Sequence, residues 1–204
     1  LTGILVTNGW NIIIRSILVR NFYQGIVVYG PTTNIMVKGN QLVGNTGVNS
    51  AGLQINGIGV DNNLIFSNTF DGQMTQNFGL WIIDGDRNSV SNNRFLNNSQ
   101  DGIRLMNTAA SNRIVGNTFS SNGVNGTYLF GTGVGNRVTS NDFGGPFSQD
   151  YGIFLQGATR NVISNNRISK NGNGIGFWSS AATNRIVNNR IESNDYAGIQ
   201  WWSG

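Results

Sequence analysis

The chain has 204 residues, 38% of them hydrophobic and only 11% charged, and 13 Lys and Arg against 9 Asp and Glu leave a net charge of +4. It has no Cys and no His, which excludes disulfide scaffolds, thiol nucleophiles, imidazole bases and the zinc sites built from either residue. No apolar run approaches the roughly 18 residues of a membrane span, and the eleven Arg are scattered rather than gathered into a nucleic-acid-binding motif.

The remaining composition is that of turns: 33 Asn and 29 Gly, with a single Glu, Glu192, and two Lys, Lys38 and Lys170. In chain order, a half-copy at Gly3-Ile4 precedes a unit opened by Asn11 and a second near Asn34, whose register matches Asn62. Further units start at Asn63, Asn88, Asn112, Asn136, Asn161 and Asn184, spaced 25, 24, 24, 25 and 23 residues apart. Each reads N-x-φ-x-x-N-x-φ-x-x-N (φ apolar), then a variable stretch, then G-φ-x-φ; NRIVGNTFSSN at 112–122 and NRIVNNRIESN at 184–194 show it plainly. The short period-2 runs predict strands, two per unit, closed by Asn or Gly turns. A unit this small cannot bury its own apolar face, so about eight of them must stack, one coil per repeat, into a parallel solenoid on the order of 40 Å long.

Three inward rows follow from the alignment. The first is Ile13, Val37, Ile65, Val90, Ile114, Val138, Ile163 and Ile186; the second is Leu18, Leu42, Phe70, Phe95, Phe119, Phe143, Ile168 and Ile191. The third is a row of pairs from Ile26/Val28 to Ile199/Trp201, with Tyr128/Phe130 as its fifth member. Between the first two rows stand Asn40, Asn68, Asn93, Asn117, Asn141, Asn166 and Asn189, with Ser16 in the first coil. Amides stacked at strand spacing can hydrogen-bond along the column and satisfy turn backbone, so this is a structural ladder. A second column holds Asn21, Asn45, Asn98, Asn122, Asn171 and Asn194, interrupted by Gln73 and Pro146.

The N-x-I-x-x-N-x-F and G-I-x-L repeats resemble those of the right-handed parallel β-helices of the pectate-lyase-like superfamily, NosD-like and carbohydrate-associated repeats above all, over the whole chain. The resemblance implies an all-β, right-handed parallel β-helix with Asn ladders, a single domain over 1–204 or a piece of a longer chain. It implies little about function, because this coil serves lyases, hydrolases, epimerases, spikes and inert rods alike. The superfamily's D-P-H element and its Asp-and-His clusters require a histidine that this chain lacks.

Function must lie in the outward rows. On the G-φ-x-φ strand these read Val27, Gln54, Trp81, Arg104, Leu129, Phe154, Gly176 and Gln200, then Tyr29, Asn56, Ile83, Met106, Gly131, Gln156, Trp178 and Trp202. Trp81, Arg104, Phe154, Trp178 and Trp202 are therefore the candidate substrate-binding residues, able to stack sugar rings and pair a uronate carboxylate. Asp61 and Asp86 occupy equivalent turns of adjacent coils and, with Arg104, are the catalytic candidates; with Asp84 they form a candidate Ca²⁺ site, the one cofactor considered. Ordinary turn chemistry explains the same aspartates. Insertions at 46–51, 72–77 and 145–150 are expected to wall a groove, and Asn97 and Asn125 open Asn-x-Ser/Thr triplets that hint at glycosylation.

The sequence reads as an extracellular or cell- or virion-surface protein without a membrane span. It acts as a rigid rod or a non-catalytic polysaccharide-binding module, partnered by polysaccharide or by its own copies, end to end or as a trimer. The alternative is a polysaccharide-active lyase, hydrolase or epimerase.

Overall fold

A computed structural model describes residues 1–131, 133–146 and 149–202. It is a stack of coils with no α-helix among the described residues, and no helix long and apolar enough to cross a membrane. Each coil has three strands rather than two, one in each of three parallel sheets. A long nine-stranded sheet runs from Thr2–Thr7 to Ala197–Trp202; two eight-stranded sheets run from Ile13–Arg15 to Arg185–Val187 and from Leu18–Arg20 to Arg190–Glu192. Strands follow coil order within every sheet, each paired in parallel with its counterpart in the neighbouring coils.

The corner between the two short sheets explains the ladder. One residue there is left-handed in each coil, for example Asn92 at φ 52° and Asn165 at φ 55°, a conformation Asn tolerates better than most residues. The chain bends too sharply at that point for its next N–H to reach a strand partner, and the following Asn supplies the acceptor instead. Asn93 N–H donates to Asn117 Oδ1 at 2.9 Å and Asn117 N–H to Asn141 Oδ1 at 2.9 Å, while Asn117 Nδ2 donates back to the Val90 carbonyl at 2.9 Å. The repeat-start residues Asn63 to Asn184 form a second ladder of the same kind at another corner.

Inside, Phe70, Phe95, Phe119 and Phe143 stack with ring centroids 4.7, 5.0 and 4.5 Å apart. The stack accounts for the glycine of G-φ-x-φ: a Cβ at Gly79 would lie 2.6 Å from Phe95 Cδ1, and one at Gly102 2.7 Å from Phe119 Cδ1. Glycine is required there by close approach, not by its dihedral freedom.

Four parts of the predicted register shift. In the first coil Ile14 pairs with Val37 and Val19 with Leu42, leaving Ile13 and Leu18 more than half exposed. The ladder place there belongs to Ile17, whose N–H donates to Asn40 Oδ1, whereas Ser16 takes the left-handed corner. The cause is that Asn11 is equivalent to the left-handed Asn34 and Asn62, not to Asn63. In the long sheet Thr127 and Leu129 face inward, in register with Ile103 and Leu105, so Tyr128 and Phe130 face outward and Leu129 and Gly131 leave the outward columns. The second amide column begins at Phe22 N–H rather than Asn21. It is continued by Gln76 and Gln149 instead of Gln73 and Pro146, the longer Gln side chains crossing the insertions to reach Asn98 and Asn171.

Candidate functional site

Corrected by one residue, the outward column of the long sheet is Val27, Gln54, Trp81, Arg104, Tyr128, Phe154, Gly176 and Gln200. Its second half carries a groove of about 540 Å³ lined by Arg104, Val124, Asn125, Tyr128, Tyr151, Phe154, Gln156, Trp178 and Trp202. The aromatic rings are mutually inclined: Tyr128 and Tyr151 each contact Phe154 at 5.3 and 4.7 Å between centroids, and Trp202 meets Tyr151 edge-on at 5.9 Å. Gly176 leaves room for them, since a Cβ there would lie 2.6 Å from Phe154 Cδ2 and 2.8 Å from Tyr151 Cδ1.

At one end the groove becomes polar. Arg104 Nε donates to Asp101 Oδ2 at 2.6 Å and Nη2 to Gln100 Oε1 at 3.2 Å. Its guanidinium packs on the Phe78 ring at 4.3 Å and the Tyr128 ring at 5.1 Å, a cation–π sandwich. Asp101 is fully buried. Burial pushes its carboxyl up, opposed by the Arg104 charge and by hydrogen bonds from Asn125 and Arg104. The net direction is upward, and the two fixed donors that meet the carboxyl, Arg104 Nε and the Asn125 backbone N–H, leave its oxygens in the accepting role of an ion-paired carboxylate. Tyr128 donates its O–H to Gln156 Oε1. Burial, with a smaller contribution from Asp101 and against the pull of Arg104, raises the phenol to about 12, so it is a donor and not a base at neutral pH.

Of the expected binding residues, Arg104, Phe154, Trp178 and Trp202 converge in the groove. Trp81 lies outside its lining, with Nε1–H on Met106 Sδ at 3.1 Å and its ring against Phe78. Tyr128, Tyr151 and Asn125 were missed. Gly126 and Gly152, the repeat glycines of their strands, are the signal that places them: Tyr128 is two residues after one, and Asn125 and Tyr151 immediately precede theirs.

Of the three catalytic candidates only Arg104 is in the groove. Asp61 accepts from Asp86 N–H at 2.8 Å and pairs with Arg87 at 2.7 Å; Asp86 accepts from Ala110 N–H at 2.7 Å. Asp84 accepts from Asn107 Nδ2 and from Thr108 N–H and Oγ1; burial works against these bonds, which together bring its pKa below the ordinary value. Each of Asp61, Asp84 and Asp86 thus accepts a backbone N–H of the next coil, and among the described residues no three of His, Cys, Asp and Glu converge to hold a metal ion. The expected groove walls differ as well: no described residue of the insertions at 46–51, 72–77 and 145–150 lines it, and residues 147–148 lie outside the described residues. Asn125 is buried with its amide nitrogen on Asp101, which closes that triplet to glycosylation.

The fold is shared with several enzymes. The chain is similar to the periplasmic alginate epimerase AlgG (16% identity, TM-score 0.66, covering 92% of this chain and 49% of that one). It is also similar to DFA-IIIase from Arthrobacter chlorophenolicus A6 (14%, 0.56, 83% and 43%). A third structure is the mannuronan C-5 epimerase AlgE4 A-module from Azotobacter vinelandii (13%, 0.53, 96% and 64%). The chain thus spans between 43% and 64% of the length of these proteins. Comparison with curated proteins found no significant match. A model described as "Periplasmic copper-binding protein (NosD)" matches residues 132–204, and one described as "Right handed beta helix region" matches residues 1–143. The latter covers well over half of the 204 residues, and the chain belongs to the right-handed β-helix family.

Proposed function

We propose that this chain is the β-helix of a polysaccharide-active enzyme and that the groove on its long sheet is the saccharide-binding surface. The observation that carries the reading is the convergence of Tyr128, Tyr151, Phe154, Trp178 and Trp202 along one open trough. Aromatic faces and edges of this kind bury the apolar C–H faces of sugar rings, while amides and a guanidinium at the margin meet hydroxyls. Support comes from the structural neighbours, among them an alginate epimerase and a mannuronan C-5 epimerase. The reading places the protein in the periplasm or outside the cell, as the descriptions of NosD and AlgG do for those proteins.

The copper in the NosD description has no counterpart in this reading. Copper takes imidazole and soft sulfur donors. The chain has no His or Cys, and of its three Met, Met36 and Met106 stand on strands of different sheets and Met74 in a turn.

One observation favours a non-catalytic binder on the same surface: among the described residues no carboxylate lines the groove, and Asp101, the one paired with Arg104, is fully buried. A panel of polysaccharides separates the two, with retention read by affinity electrophoresis and chemistry read as new reducing ends, unsaturated products or inverted C-5 centres. Retention with turnover supports the enzyme, retention without turnover supports the binder, and no retention on any polymer overturns both.

A further inference from the structure

We infer that the groove takes uncharged saccharides and rejects acidic ones; the inference rests on the proposed reading and names its substrate class. A polyuronate needs an uncompensated cation to offset the cost of desolvating its carboxylates. Among the described residues Arg104 is the one cation in the lining, and its charge is already paired with the buried Asp101. Its Nε is bound to the buried carboxylate of Asp101, its Nη2 to Gln100, and its flat faces are covered by Phe78 and Tyr128. A ligand carboxylate drawn to Arg104 would share it with Asp101, and two carboxylates on one guanidinium repel.

Asn125 adds to this. Because a carboxylate only accepts, the Asn125 amide must turn its nitrogen to Asp101, at 2.7 Å, and its carbonyl oxygen is left buried in the groove wall without a donor. That end of the groove therefore presents two negative poles behind a single positive charge. The other polar groups are neutral: Gln156, whose Oε1 is taken by Tyr128 and whose amide hydrogens have no partner among the described residues, and the phenols of Tyr128 and Tyr151. The twelve other cations lie off the groove. An acidic polymer attracted by the net charge of +4 should meet those instead.

The experiment is affinity electrophoresis of the whole chain in neutral polymers (glucans, xylan, inulin) and in alginate and polygalacturonate, at low salt and at about 0.5 M salt, where surface attraction is screened. Trp178→Ala is run alongside; at 49% exposure Trp178 can be removed without opening the core. At least one neutral polymer is expected to retard the protein equally at both salt levels, with binding about ten-fold weaker in the variant. Any retardation by the acidic polymers should vanish in salt and be unchanged by Trp178→Ala. Acidic-polymer binding that Trp178→Ala abolishes overturns this inference and leaves the saccharide groove standing. If no polymer's binding responds to Trp178→Ala, the groove reading itself falls, and the inference with it.

Discussion

Down the interior of the stack the same side chain returns coil after coil: Asn at 68, 93, 117, 141, 166 and 189, and Phe at 70, 95, 119 and 143. Over the same coils the outward column of the long sheet reads Trp81, Arg104, Tyr128, Phe154 and Gly176. The two regions share one backbone repeat and obey different constraints. An interior side chain packs on its own copies above and below, and identical shapes stack with the fewest voids and unpaired groups. An outward side chain is free of that demand, so variation there builds a shape, here an aromatic-lined trough whose Phe154 and Tyr151 rings pack over Gly176. Repetition marks what holds the coil together, and its interruption marks where something else is recognised.

The interior should be the easier region to break. Phe119→Ala removes a fully buried ring sandwiched between Phe95 and Phe143 and should cost about 4 kcal/mol in denaturant unfolding. A loss below about 1 kcal/mol would mean that the rings slide together and the stack is not cooperative. Asn117→Ala comes next, at about 3 kcal/mol, because it strands the N–H of Asn93, which donates to Asn117 Oδ1, along with the Val90 carbonyl. Both variants should leave saccharide retention intact wherever the protein is still folded.

The same contrast decides what could be read from the chain. The Asn40–Asn189 ladder, the Phe row and the coil count are legible because they repeat. The groove is half legible: Phe154, Trp178 and Trp202 stand at regular positions, while Tyr128 reads as inward because Thr127 breaks the apolar pattern of its strand. Thr127 is nonetheless fully buried, and its hydroxyl has no partner. Tyr151 and Asn125 escaped because the position before the repeat glycine lies outside the G-φ-x-φ template, and the first coil slipped because its ladder place is Ile17, with no amide to mark it. Thr127→Val restores the apolar pattern and removes the unpaired hydroxyl, so it should stabilise the fold by about 1 kcal/mol, measured by the denaturation midpoint. A destabilised variant would show that the hydroxyl is satisfied in solution.

The remaining expected effect belongs to the groove and appears only at high pH. Tyr128 is faced by Arg104 and Asp101 on the preceding strand, by Phe154 and Gln156 on the following one and by Phe130 on its own. Burial raises its phenol from the ordinary 10.0 to about 12. Between those values the unfolded chain releases a proton that the folded one keeps. The contribution of this group to stability is therefore complete below pH 10 and is lost as pH rises through about 12. Wild type should lose stability relative to Tyr128→Phe across that interval and match its pH dependence below it. The phenolate absorbance of the native protein, less that of the variant, should rise near pH 12 and not near 10. A difference curve centred at the ordinary value would place the phenol in water, and the polar end of the groove would be more open than the Arg104–Tyr128–Gln156 contacts describe.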